Sequence, residues 1–489
     1  MGSDLISELS SGWTVKPLIE CTTDKIISYG IVQPGSHIES GIPIIRVNNF
    51  GNGQLDLSTV LKVDPEIEKK FSRTRLAGGE VLLTLVGSTG QSIVAPEELA
   101  GWNVPRAVAV IRVNGEVGAE WVNICLQTEF TKHFLDSRAN TTVQKTLNLT
   151  DVKKIPIPIP PDDVKQFIES NITSLDNKIE LNRQTNQTLE QMAQALFKSW
   201  FVDFDPVIDN ALAADKPIPE ELQARAQRRQ QQLAKPDHQP LPDDVLQLFP
   251  SEFEETDALG WVPKGWISKP FGELLDQTIG GDWGKEVPDD KHTVESVIVR
   301  GTDIPRLASG SQSSAPTRWV EPKKLKTRSL SDSDIVIEVS GGSPTQPTGR
   351  SIMMTENLLV RLGGTVEPAS FCRKFRPINK EIGLVLGLHL QKIYADGKTW
   401  EYQNTSTGIS NFQTKTFLSS ELVLMPDNVE LINKFYSLTR PYIDKMTSND
   451  SIKLESLRDT LLPKLISGEL RLPESLLDSE TNPPESAYE

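Results

Sequence analysis

Two glycine-rich stretches, Gly87-Ser88-Thr89-Gly90-Gln91-Ser92 and Gly341 to Ser351, are the first residues here whose spacing suggests a chemistry. Glycines let backbone N–H groups converge on a phosphate. Neither stretch has the G-x-x-x-x-G-K-S/T spacing or its lysine, so tight turns after strands are expected instead. Asn482-Pro483-Pro484-Glu485 lacks the aromatic fourth residue that amino-methyltransferases use. The five histidines, His37, His133, His238, His292 and His389, make no H-x-x-x-H pair. The three cysteines, Cys21, Cys125 and Cys372, have neither zinc nor disulfide spacing. No methyl-donor glycine motif, helicase motor or nuclease carboxylate cluster stands out. The expectation is a chain that does no chemistry alone and carries no cofactor or metal.

What remains is the chemistry of recognition. Trp319 to Arg328 holds Lys323, Lys324, Lys326 and Arg328, and Phe371 to Arg376 holds Arg373, Lys374 and Arg376 among aromatics. Arg46 to Asn49, Arg106, Arg138 and Asn140 to Lys145 add arginine and asparagine. Arginine forks read guanine, asparagine and glutamine read adenine, and lysine neutralises phosphate. A charged run is equally a solvated face. The repetition of some of these residues is what points to recognition.

The elements that must position them come as one unit used twice. Gly12-Trp13-x-x-Lys16-Pro17-Leu18-x-Glu20 returns as Gly265-Trp266-x-x-Lys269-Pro270-Phe271-x-Glu273, a shift of 253. Ile44-Ile45-Arg46 returns as Ile298-Val299-Arg300, and Glu80 to Gly87 as Asp334 to Gly341, both at 254. Arg112 matches Arg376, and Asn140-Thr141 matches Asn404-Thr405, at 264. The offset only grows along the chain, as a duplicated copy with small insertions requires. Each copy opens with about 150 residues of short β-branched runs, such as 81 to 86, 107 to 113, 335 to 339 and 358 to 362, broken by Gly, Pro and Asn. They read as strands and loops with a few short helices.

Each copy closes with a long helix. After Ile155-Pro-Ile-Pro-Ile-Pro-Pro161, which cannot be helical, positions 168, 172, 175, 179, 182, 186, 189, 193, 196 and 200 read Ile, Ile, Leu, Ile, Asn, Asn, Leu, Ala, Leu, Trp. Steps of four and three in alternation are a coiled-coil seam, and its two asparagines would fix register against a specific partner helix. A shift of 268 sets Leu175 on Ile443 and Leu189 on Leu457, which puts the partner in the same chain. That second helix is expected from near Asp427 to Gly468, with Pro441 bending or restarting it.

At 489 residues and 24% charged, the chain has the size and composition of a soluble protein of several domains. With no membrane-length apolar run and no signal-like start, a cytoplasmic location is expected. The formal charge of -15 would repel nucleic acid if spread evenly, but residues 201–260 carry -8 of it and 427–489 carry -5. Both large domains are near neutral and can each present a basic face. Residues 202–260, where prolines surround a polar helical piece, Glu220 to Leu233, read as an acidic insertion or linker.

Taken together, these residues resemble the specificity subunit of type I restriction-modification systems. The resemblance rests on Leu175-Asp-Asn-Lys-Ile179 running on to Leu189-Glu-Gln-Met-Ala-Gln-Ala-Leu-Phe197-Lys-Ser-Trp-Phe201, on the paired Gly-Trp-x-x-Lys-Pro openings, and on Leu457-Arg-Asp-Thr-Leu-Leu-Pro-Lys-Leu-Ile-Ser-Gly468. It implies an α+β chain with two mixed α/β target-recognition domains in tandem, 1–160 and 261–426. Two long antiparallel coiled-coil helices, 161–201 and 427–470, would separate them with pseudo-two-fold symmetry, leaving a mobile acidic tail at 471–489. It also implies double-stranded DNA as ligand, two methyltransferase subunits as partners, and a restriction and translocase subunit that can be added. S-adenosylmethionine and ATP with Mg would then be bound by the partners.

Base-reading residues in such a family vary with the target, so the candidates come from loop position and side-chain chemistry. In the first copy they are Arg46, Asn48, Asn49, Ser88, Thr89, Gln91, Arg106, Arg138, Asn140 and Lys145. In the second they are Arg300, Thr302, Lys323, Lys324, Lys326, Arg328, Gln346, Arg350, Arg373, Lys374, Arg376 and Asn404. Two other readings stay open on the residues alone: a coiled-coil scaffold with two protein-binding heads, and a self-contained DNA methyltransferase with unrecognised motifs.

Overall fold

The prolines after Ile155 exclude a helix, and the segment Pro156–Ile159 pairs instead, antiparallel, with Thr14–Pro17. The second copy repeats this closure, with Trp266–Pro270 antiparallel to Leu422–Pro426. The computed structural model describes residues 12–51, 53–138, 146–343, 345–406 and 409–470. The chain forms two units, one taking the residues up to Lys178 with those from Leu454, the other running from Ile179 to Lys453. The expected tail at 471–489 lies outside the described residues.

Each unit is built on a four-stranded antiparallel sheet of one topology. In the first unit the order is Thr22–Tyr29, Val108–Val113, Val81–Thr84, Ser92–Val94. In the second it is Leu275–Gly280, Cys372–Pro377, Ile335–Glu338, Ser351–Met353. Even the registers correspond: Leu83 faces Ala109, and Ile337 faces Arg373. The first strand of each sheet carries an irregularity near its start.

The strands Val81–Thr84 and Ile335–Glu338 are apolar without alternation because both faces are covered. In the first unit Val81 and Leu83 pack towards helix Ala119–Gln127 with its buried Trp121, while Leu82 packs with Val108 and Val110 on the other side. In the second, Ile335 and Ile337 face helix Lys380–Ala395 while Val336 joins Val299, Ile352 and Leu358.

One β-branched run is not a strand. Residues 358–362 lie in helix Glu356–Leu362, where the Thr355 hydroxyl accepts the Leu358 N–H at 3.1 Å and Gly363, at φ 72°, ends the turn. A threonine N-cap followed by leucines on one face outweighs the strand preference of a single valine, and Val360 points to solvent.

The helix Asp162–Phe201 is 40 residues, roughly 60 Å at 1.5 Å per residue. Along its expected seam Ile168, Ile172, Ile179, Ala193 and Trp200 are buried. Its first part packs in the first unit, where Ile168 and Ile172 meet Leu462, Leu465 and Ile466, and Asp176 pairs with Arg458 at 2.7 Å. Its last turns pack in the second unit, where Phe197, Trp200 and Phe201 lie 6.4, 5.4 and 4.8 Å from the Phe435 ring. In both units rising numbers on one helix meet falling numbers on the other, so the partners are antiparallel segments of the same chain. The second helix does not break at Pro441. It runs as Val429–Met446, turns at residues 447–449, and resumes as Asp450–Ile466. Pro441 faces solvent, which can hydrate the carbonyl its missing N–H leaves free. The break falls where the buried Thr447 hydroxyl is held 2.7 Å from that of Thr355.

Residues 202–260, expected as an insertion or linker, are folded. Helix Glu220–Leu233 lies on Asp205–Ala213, with Arg225 donating twice to Asp205 at 2.8 Å and Arg229 pairing with Asp209. The i, i+4 spacing of both aspartates matches that of both arginines. Phe204, Val207, Val245 and Phe249 join the core of the second unit, with Phe249 4.9 Å from Trp200.

Candidate nucleic-acid interface

The residues that the two copies share turn out to build the frame. Arg46 and Arg300 occupy one position, and in each the backbone N–H donates to a side chain three residues on: Asn49 Oδ1 at 2.9 Å, Asp303 Oδ2 at 3.0 Å. Asn49 is 1% exposed and Asp303 fully buried. Asn49 also donates to the Asp56 and Thr59 carbonyls, and the Arg46 guanidinium donates to Thr59. Arg300 closes a two-pronged pair on Asp303, both bonds at 2.8 Å, and reaches the Ser314 carbonyl. Burial would push the Asp303 carboxyl up, but Arg300 holds it below the ordinary range.

Arg376 and its counterpart Arg112 tell the same story. Arg376 pairs with buried Asp334 at 2.7 Å, and Arg112 lies 3.5 Å from buried Glu80. Both acids also accept the backbone N–H three residues before them, Ala77 in one copy and Ser331 in the other. Arg46 and Arg300, whose repetition suggests DNA reading from sequence, thus share a backbone clamp, while their guanidiniums are held differently. Asn49 is fully engaged inside the protein, Arg300 and Arg376 are paired there while remaining partly exposed, and Arg46 has one guanidinium bond, to the Thr59 carbonyl, with its Nε left without a partner among the described residues.

Other candidates of the second copy are also paired within the protein, from buried Lys374 to half-exposed Lys324. Lys374 is buried, and its ammonium donates to the Thr327 and Ser329 carbonyls at the end of helix Pro322–Arg328. Burial depresses its pKa. Arg350 forms a fork on buried Glu338 beside Gly301, where any Cβ would lie 2.4 Å from Glu338 Oε1. Arg328 donates to the Gly280 carbonyl at 2.9 Å, and Lys324 bridges Glu321 and Asp282 at 2.7 and 3.2 Å. A guanidinium whose fork already holds a carboxylate, as that of Arg350 does, has fewer donors left for another ligand.

The remaining candidates are presented to solvent. In the first unit these are Asn48, Ser88, Gln91, Arg106 and Arg138, with Thr89 half-buried. Ser88 to Gln91 form the expected tight turn, with Gly87 and Gly90 at φ 78° and 84° and the Thr84 hydroxyl accepting the Gln91 N–H at 2.9 Å. Arg106 lies 5.9 Å over the Tyr29 ring, and Arg138 3.8 Å over that of Phe134. Asn140 and Lys145 lie outside the described residues. In the second unit Thr302, Lys323, Lys326, Gln346 and Asn404 are exposed, and Arg373 is half-buried with its Nε on Thr278 Oγ1 at 2.8 Å.

Several of these gather at one edge of the second unit. The strand Ser340–Gly341 pairs with Ile409–Phe412, which forms a hairpin with Gln403–Ser406 carrying Asn404. The Gln403 amide oxygen accepts the Thr348 N–H at 2.9 Å, which fixes the loop bearing Gln346 against that hairpin. The turn at Phe371 is tied to the same edge, its carbonyl accepting from Val339 and Ser340 at 2.9 and 3.2 Å. Phe371, 65% exposed, was not among the sequence candidates, since nothing in a lone phenylalanine distinguishes a core ring from a surface one. Among the described residues no group of His, Cys, Asp and Glu is disposed to hold a metal ion, and no helix is long and apolar enough to cross a membrane.

Comparison with known proteins now becomes specific. Residues 36–191 match the family model described as type I restriction modification DNA specificity domain. The HindI specificity subunit of Haemophilus influenzae is 30% identical over 379 residues, spanning 70% of this chain and 74% of that one. The MjaIX specificity subunit of Methanocaldococcus jannaschii is 22% identical, over 81% of this chain and 78% of its own. Among solved structures, the S subunit of a type I restriction-modification system from M. genitalium aligns over 94% of this chain and 98% of its own at 12% identity and a TM-score of 0.49. With three quarters of the Haemophilus protein spanned at that identity, the chain belongs to the family of type I restriction enzyme specificity subunits.

Proposed function

We propose that this protein recognises a bipartite DNA sequence, each unit reading one half with the loops at the edge of its sheet. The observation that carries the reading is a frame built twice with the same buried clamps, Arg112 on Glu80 and Arg376 on Asp334, while the exposed residues around it differ between copies. A duplicated frame with divergent edges suits an asymmetric target. One domain touching a few base pairs discriminates weakly, at about 1 to 3 kcal/mol per mismatch, and two domains joined at a fixed separation multiply their selectivities. Lys323 and Lys326, exposed on helix Pro322–Arg328, suit phosphate contacts, and Gln346, Asn404, Asn48 and Gln91 suit base edges.

The protein works without catalysis of its own, in the cytoplasm, and the long helices set half-site spacing and dock two methyltransferase subunits. S-adenosylmethionine is bound by those subunits, and ATP with Mg by a translocating nuclease subunit where one joins. The reading is tested by purifying the chain with its methyltransferase, mapping the adenines it methylates, and comparing target with random duplex at moderate salt. Target-selective binding and paired methylation sites at constant separation are expected. Equal binding to both duplexes would refute it.

A further inference from the structure

The duplication isolates one turn at which the two domains differ in chemistry. In the first unit the turn Pro105-Arg106-Ala107-Val108 is closed by the Val108 N–H on the Pro105 carbonyl at 3.0 Å, and Leu85 N–H donates to Ala107 O at 2.7 Å. In the second, Ala369-Ser370-Phe371-Cys372 is closed by Cys372 N–H on Ala369 O at 2.8 Å, and Val339 N–H donates to Phe371 O at 2.9 Å. The backbone is thus held at matching points in both copies, and only the projecting side chains change. The first turn projects Arg106 from its second residue, lying over Tyr29, and the second projects the Phe371 ring from its third, where the first copy has Ala107.

The strand position beside the turn changes in the opposite sense. Tyr29 pairs with Ala109 in the first sheet, and at that place the second has Gly280 paired with Arg373. A Cβ on Gly280 would lie 3.8 Å from Arg373 Nη1, so this guanidinium covers the site that an aromatic ring fills in the other copy. Each edge therefore has one arginine and one aromatic, but at positions that do not correspond between the copies.

We propose that this turn is the reading tip of both domains, and that Phe371 makes an apolar contact with the 5-methyl group of a thymine in the half-site of the second domain. The inference rests on the DNA-recognition reading above and names a specificity residue within it. Phe371 has a pinned backbone and a free ring, and it stands on the edge that carries Asn404 and Gln346, whose amides suit the adenine side of A·T pairs. In the major groove an apolar side chain distinguishes thymine by its methyl group. An exposed ring on a rigid tip is suited to that contact and loses little freedom in making it.

The test uses the full chain with its methyltransferase subunit and a duplex carrying the mapped target. Each thymine is replaced singly by uracil, which lacks only the methyl, and binding is measured for wild type and Phe371→Ala. Wild type should lose about fourfold at one uracil position in one half-site, the worth of one buried methyl. Phe371→Ala should lose about tenfold on the target, become indifferent to that uracil, and bind non-target duplex as wild type does. Phe371→Leu should keep the uracil sensitivity, which separates loss of the contact from loss of the fold. Full target affinity in Phe371→Ala, or an undiminished uracil effect in that variant, overturns the inference. Wild type that fails to distinguish target from random duplex would instead refute the DNA-recognition reading itself.

Discussion

At the scale of residues, the main division is between arginines spent inside the protein and cations left outside. Arg376→Ala should destabilise the second unit by about 2 kcal/mol, because it strands buried Asp334, and the partial solvation of Arg376 keeps the loss below that of a fully buried pair. Urea unfolding should register this. Lys323→Ala should leave stability unchanged, weaken target and random duplex alike, and lower the salt slope by about 1. Glu367 supplies a pH signature. It is fully buried, neither carboxylate oxygen has a hydrogen-bond partner, and burial, helped by Asp282 and opposed by Arg328 and Lys324, pushes it up to about 7. A raised acid favours the folded state when neutral, so its contribution is complete below the ordinary glutamate range and is lost as pH rises through about 7. The loss is on the order of 2 to 3 kcal/mol. Glu367→Gln should flatten the fall in unfolding midpoint between pH 5 and 8, and an unchanged slope would show that Glu367 is not its source.

At the scale of elements, the helices were readable from spacing, and their partners from the repeat. Phe435 is the fully buried residue that three rings of helix Asp162–Phe201 converge on. Phe435→Ala should cost the second unit about 3 to 5 kcal/mol, measured by denaturant unfolding, since its neighbours cannot collapse into the void. Of the two polar seam positions, Asn186 has a visible neighbour: its Nδ2 lies 2.9 Å from where a Cβ on Gly310 would sit, and Gly310 is at φ 75°. Replacing Asn182 and Asn186 together by leucine should shift half-site spacing or impair complex assembly if they fix register. Mapping methylated adenines and measuring assembly would show it. Within the insertion the helix Glu220–Leu233 was legible between its prolines, but its packing was not, because glutamine-rich, proline-bounded composition resembles a linker. The signal that could have found it is the matched spacing of Asp205 and Asp209 with Arg225 and Arg229.

At the scale of the whole molecule, a net charge of -15 is concentrated rather than spread, with -8 of it in residues 201–260, which pack into the core of the second unit through Phe204, Val207, Val245 and Phe249, so a polyanion must be met by a local basic face. DNA affinity of the assembled complex should therefore still fall steeply with salt, as counterion release requires, and a flat response between about 50 and 200 mM would exclude a phosphate-contacting surface.

The duplication, the long helices, their seam and the family resemblance were legible in the amino-acid order, because each depends on separation along the chain. Offsets and periodicities survive without coordinates. Which repeated residues are frame and which are edge was decided only by tertiary structure. Arg300 and Arg376 look from sequence like DNA-reading forks, and folding sets Asp303 and Asp334 against them. Nothing in the amino-acid order tells whether Phe371 is a core ring or a surface one, and folding leaves it at a turn tip in solvent. A side chain's partners across a sheet come from distant segments, so local spacing could not decide whether a charge was satisfied or available.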